Sequence, residues 1–150
     1  MKFKNNQKGA NMKREILFRG KRTDNGEWVE GDLIHGVSTR RGRMYILPIV
    51  SNLAYLKGCD PLDGYEVTPE TVTQFTSITD KNGVKVFDGD IVKHKFRRVW
   101  AEQEHTSVVV WNDNFMCYYL FDGASNIRMR EDVIYEVIGN TYDNPELLKP

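Results

Sequence analysis

Two stretches of this chain repeat one pattern: Asn25-Gly26-Glu27-Trp28-Val29-Glu30-Gly31-Asp32-Leu33-Ile34 and Asn82-Gly83-Val84-Lys85-Val86-Phe87-Asp88-Gly89-Asp90-Ile91-Val92. Each runs Asn-Gly, an aromatic, acid-Gly-Asp and two aliphatics. Asn-Gly between apolar runs signals a β-hairpin, because both residues tolerate the positive φ of a tight turn. The pattern predicts pairing of residues 16–21 with 27–34 and of 73–78 with 84–87. The acid-Gly-Asp step reads as a sharp bend in both copies, with glycine supplying the backbone angles. Residues 91–100, 107–111, 115–121 and 133–138 are rich in β-branched and aromatic side chains, and Asn112-Asp113-Asn114 is a natural turn. Short strands at this spacing predict a mainly β chain, a small barrel or sandwich. Helix is confined to two turns, one opening at Thr68-Pro69 and one at Asn144-Pro145, where an oxygen-bearing cap precedes proline.

Composition excludes several classes. With 40% hydrophobic and 28% charged residues over 150 positions, the chain is neither disordered nor a coiled coil. Cys59 and Cys117 lack metal or redox spacing and are too few for a disulfide scaffold, which points to a reducing cytoplasm. No apolar run approaches the roughly 20 residues of a membrane helix, so no membrane partner is expected. Lys plus Arg and Asp plus Glu both number 21, but the thirds of the chain carry +6, 0 and −6. A basic surface at one end is one reading; opposite charges meeting on one folded surface is the simpler one.

Residues 1–11 hold one sizeable apolar side chain, Phe3, and are expected to be a flexible leader. Lys8-Gly9-Ala10-Asn11 back-translates to a ribosome-binding sequence just before Met12, so Met12 is expected to be the native start. Residues 12–70 read as an N-terminal β-hairpin unit with a linker at 51–64, and 71–150 as a second β unit ending in a short helical turn.

A likeness runs through most of the chain. Arg14-Glu15-Ile16-Leu17-Phe18-Arg19-Gly20-Lys21 with Gly26-Glu27-Trp28, Val67-Thr68-Pro69-Glu70-Thr71-Val72, Gln74-Phe75-Thr76, Thr79-Asp80-Lys81-Asn82-Gly83, Phe87-Asp88-Gly89-Asp90-Ile91-Val92, Tyr135-Glu136-Val137-Ile138-Gly139-Asn140 and Asn144-Pro145-Glu146-Leu147-Leu148 resemble the YopX family of phage and prophage proteins. The block 74–92 is the most specific piece. Ser77 departs from the family pattern, which has Gly there. The resemblance implies an SH3-like small barrel over 71–150, a phage accessory role and no established activity; it carries over no catalytic residues.

Chemistry is sparse. Phosphate-cradling glycine loops and the GxSxG nucleophile elbow are missing. His35, His94 and His105 stand apart in sequence, Asp80-Lys81-Asn82-Gly83 has its glycine too early for a calcium loop, and Cys117 reads as an inert strand thiol. The pairs Asp88/Asp90 and Glu30/Asp32 read as carboxylates bonding backbone amides at a bend. No enzyme, cofactor or metal is expected.

Two binding surfaces are expected instead. In residues 93–100 alternation puts Lys93, Lys95 and Arg97 on one face about 7 Å apart, with Arg98 beside the aromatics on the other. This strand, Lys93, Lys95, Arg97 and Arg98, is the candidate nucleic-acid surface; the bland account is a charged edge that blocks aggregation. Arg40, Arg41 and Arg43 would extend it. In residues 115–121 both faces are apolar, and Met116, Tyr118 and Leu120 are the candidate protein contacts, within one chain or between copies. A protein partner, self or host factor, is the first expectation and nucleic acid the second.

Overall fold

The computed structural model describes residues 14–36, 42–49, 64–96 and 103–148. Within them lie eleven strands: β1 (Phe18–Lys21), β2 (Trp28–His35), β3 (Met44–Leu47), β4 (Tyr65–Val67), β5 (Thr73–Thr79), β6 (Lys85–Phe87), β7 (Asp90–Phe96), β8 (His105–Asn112), β9 (Cys117–Phe121), β10 (Asn126–Arg128) and β11 (Val133–Asn140). The only helical pieces among these residues are the 3-10 turns Pro69–Thr71 and Pro145–Leu148, at the two expected prolines. One sheet has the order β4-β3-β2-β1-β5-β6 and the other β10-β9-β8-β7-β11. Both are antiparallel and open, so the chain is mainly β with no closed barrel among the described residues.

Both predicted hairpins form. β1 meets β2 from Phe18↔Gly31 to Lys21↔Trp28, and β5 meets β6 through Phe75↔Phe87 and Thr79↔Lys85 across a bulge. In each turn only the glycine of Asn-Gly takes positive φ. Side chains close them: Asn25 Oδ1 accepts the Glu27 N–H at 2.9 Å, and Asp80 Oδ1 accepts those of Asn82 and Val84 at 2.8 and 2.9 Å.

The two acid-Gly-Asp steps diverge. Asp88-Gly89-Asp90 is the expected bend, with Gly89 at φ +78°. Glu30-Gly31-Asp32 runs straight within β2, correcting the expectation of a bend. There β2 passes from β1 to β3, pairing Asp32↔Leu47 through His35↔Met44. A Cβ on Gly31 would lie 2.0 Å from the Leu47 carbonyl oxygen, so glycine serves close approach rather than a turn.

The second sheet is a meander, β7 to β10, with β11 returning to pair β7. Its inner face supplies Val92, Val109, Tyr118, Leu120, Val133 and Tyr135 to the main core. Burying each such aliphatic side chain contributes about 1.5–3 kcal/mol. A smaller cluster holds Leu17, Phe75 and Phe87. β6 serves both: Val86 enters the main cluster and Phe87 the smaller one. The sheets thus divide between β6 and β7, whereas the sequence reading divided the chain at 70/71.

Polar stitches join the sheets. The guanidinium of Arg19 pairs with the buried Asp90 carboxylate and lies 4.7 and 4.4 Å from the ring centroids of Trp28 and Phe87. Lys21 pairs with Asp143, which also accepts the Trp28 indole N–H. Asp80 Oδ2 accepts the Val137 N–H at 3.0 Å, and the Lys81 N–H donates to Tyr135 O at 3.0 Å, so the β5–β6 loop occupies the outer edge of β11. The basic first third of the chain therefore meets the acidic last third at Lys21–Asp143. The leader 1–11, Met12 and nearly all of the 51–64 linker lie outside the described residues.

Candidate functional site

The hairpin β8–β9 is built from alternation. Tyr118 and Leu120 point inward, 8% and 1% exposed, and Cys117, Tyr119 and Phe121 point outward. Met116 belongs to the turn, at φ +53° and 74% exposed. This corrects the expected contact face Met116, Tyr118 and Leu120: the core claims the last two, because Val86, Met129 and Ile78 cover that side. The accessible apolar groups are on the other face and at the tip. Asn112 Oδ1 accepts the N–H groups of Asn114 and Phe115 at 3.0 and 3.2 Å, which fixes the turn. It leaves Phe115 68% exposed, its ring 5.9 Å from Tyr119.

On the outer face, Val108 sits opposite Phe121 and Val110 opposite Tyr119. The turn Pro145–Leu148 approaches one end of this face, and Thr106, Val108, Phe121, Leu147 and Leu148 line a cavity there of about 650 Å³. Phe121, Leu147 and Leu148 are all exposed. Sequence reasoning missed Leu147 and Leu148 because a pair of leucines after Asn-Pro reads as a helix face, with nothing to show which sheet it meets.

The basic strand is present in part. Lys93 and Lys95 share the outer face of β7, and Arg97 and Arg98 lie outside the described residues. Lys93 pairs with Glu104 at 3.3 Å and Lys81 with Glu136. These four residues and Lys95 line one groove, so two of its three cations are matched by carboxylates. Arg43 pairs with Glu66 at 3.3 Å, while Arg40 and Arg41 are outside the described residues.

Two of the three histidines, apart in sequence, meet in space. His94 and His105 are cross-strand partners with rings stacked at 5.6 Å. His94 is buried; its Nε2 bonds Ser107 Oγ at 3.0 Å, and its Nδ1 has no partner. Burial, reinforced by His105, pushes its pKa down and keeps it neutral. Among the described residues no group of three or more His, Cys, Asp or Glu side chains is placed to hold a metal ion.

The carboxylates are engaged in structure. Burial raises the pKa of Asp90 against the pull of Arg19, and its Oδ2 accepts the Phe87 N–H at 2.7 Å. Burial also raises that of Asp88, against the opposing pull of nearby backbone N–H groups and Arg19. Glu30 reaches Lys85 at 3.6 Å and Asp32 is exposed. Cys117 is a half-buried free thiol. No helix among the described residues is long and apolar enough to cross a membrane.

These features define a class: an all-β protein of two antiparallel sheets, with charged pairs among the contacts that join the sheets and several apolar side chains exposed at one hairpin. Residues 17–149 match the family model described as YopX protein, and the chain belongs to the YopX family. The fold is similar to the crystal structure of protein EF1440 from Enterococcus faecalis, with a TM-score of 0.52 and 21% identity, covering 91% of this chain and 99% of that one. No curated protein matches the chain. Ser77 adopts φ +71°, a backbone conformation that glycine enters without strain.

Proposed function

We propose that this protein is a non-enzymatic accessory protein of phage or prophage origin that works in the bacterial cytoplasm by binding another protein. One observation carries the reading: Phe115, Met116, Phe121, Leu147 and Leu148 stand exposed at the β8–β9 hairpin and the turn beside it. Clustered exposed apolar side chains on a soluble domain mark interaction surfaces. The SH3-like barrel belongs to the same proposal, with the five-stranded second sheet as its counterpart, open between β10 and β11. Nucleic acid is the weaker reading, because Glu104 and Glu136 neutralise the groove that holds Lys93 and Lys95.

Capture from bacterial lysate with tagged protein, nuclease-treated and untreated, tests it. The expected result is a specific protein that survives nuclease and is lost with Phe115→Asp/Phe121→Asp. Nucleic acid recovered instead, and lost with Lys93→Glu/Lys95→Glu and with rising salt, overturns it.

A further inference from the structure

A second concavity lies on the inner side of the same hairpin. It is lined by Arg14, Ile78, Trp111, Met116, Arg128 and Met129, among others, and encloses about 230 Å³. That is below the roughly 300 Å³ at which small-molecule pockets begin, and suits one anchoring side chain.

Two independent observations single it out. The first is charge. Of the arginines in the described residues, Arg19, Arg22, Arg43 and Arg130 each pair with a carboxylate. Arg14 and Arg128 do not, and both line this groove. The second is backbone strain. Ser77 and Met116 are the two non-glycine residues at positive φ among those described. Met116 lines the groove, while Ser77, between its lining residues Thr76 and Ile78, faces the neighbouring groove of Thr79, Glu131 and Tyr135. A left-handed conformation strains an L-residue, and such strain gathers at ligand clamps.

We propose that this groove takes an acidic segment of a partner protein, an apolar side chain seated against Trp111 and Met116 while Arg14 and Arg128 hold flanking carboxylates. The inference rests on the protein-binding reading above and names the chemistry of the partner. Guanidinium forks match carboxylates in a bidentate geometry, and thioether and indole walls accept varied apolar anchors. A nucleic-acid strand is the poorer fit, since tracking a phosphate backbone needs a continued row of cations.

The test is selection of a displayed library of random 12-residue peptides on the full-length protein. Enriched peptides are expected to carry Asp or Glu around an apolar residue. Arg14→Glu/Arg128→Glu is expected to weaken them at least tenfold with an unchanged melting temperature, and Arg130→Glu, outside the groove, to leave them unchanged. Absence of enrichment, enriched peptides without acidic residues, or indifference to the double substitution overturns the proposal. So does a fluorescein-labelled 12-nucleotide single strand that binds wild type and not the double variant. Capture separates the two readings: a protein retained equally by wild type and by Arg14→Glu/Arg128→Glu overturns the groove alone, whereas a wild type that captures no protein and enriches no peptide overturns both.

Discussion

Glu30-Gly31-Asp32 and Asp88-Gly89-Asp90 occupy equivalent places in two similar stretches and do opposite things. The first is a straight run of β2, where Gly31 admits the backbone of β3. The second is a turn pinned from both sides: the Gly89 N–H donates to Val109 O at 2.8 Å and its carbonyl accepts the Thr141 N–H at 2.9 Å. The final aspartates differ in the same way, Asp32 exposed and Asp90 buried against Arg19. Local sequence proposes a glycine-centred feature; the strand that arrives from elsewhere decides whether it is a bend or a crossing point.

Substitutions can break this contrast, and the aspartates come first. Asp90→Ala leaves Arg19 without its carboxylate and Phe87 without its acceptor, at an expected cost of about 3–5 kcal/mol, whereas Asp32→Ala stays within about 0.5 kcal/mol. Urea denaturation of both measures the gap. Among the glycines, Gly31→Ala meets an unyielding carbonyl and is expected to cost about 3 kcal/mol, Gly89→Ala about 1–2 kcal/mol from positive φ alone. An equal loss at both would sink the account of a crossing point at Gly31.

Acid sharpens the contrast further. Trp28 of the first stretch is held by Asp143, whose pKa hydrogen bonds from Lys21 and Trp28 lower to about 2. Asp80, beside the second stretch, is disfavoured as an anion by burial, yet N–H donors from Val137, Val84 and Asn82 hold its pKa below the ordinary value. Both carboxyls are depressed by folding. Their contribution is therefore complete above the unfolded pKa of about 4 and is lost as pH falls through the folded values. Urea midpoints between pH 5 and pH 2 should fall less steeply in Asp143→Asn and in Asp80→Asn than in wild type. The smallest effect runs the other way: Ser77→Gly restores the residue that φ +71° favours and should gain about 1 kcal/mol, read as a rise in melting temperature of about 2–4 °C.

Much of the fold was legible because it is local. The hairpins, the Asn112 turn and the two proline-led turns follow from neighbouring residues. Strands β3, β4 and β10 were not read, being only three or four residues long, too short for an alternating pattern to stand out. Residues 115–121 gave the alternation and the wrong accessible face: Tyr118 and Leu120 became interior when Val86 arrived from another hairpin. Arg14 and Arg128 carry no local signal, since 114 positions separate them and only the fold places both at one groove.

The two-sided placement of β6 has a consequence for melting. Phe87 and Val86, adjacent in the chain, are anchored in different clusters, so neither sheet can lose its packing while the other keeps a native β6. Heat should then unfold the molecule in one cooperative transition, with calorimetric and van't Hoff enthalpies equal, and a fragment cut between the two sheets should fail to hold either.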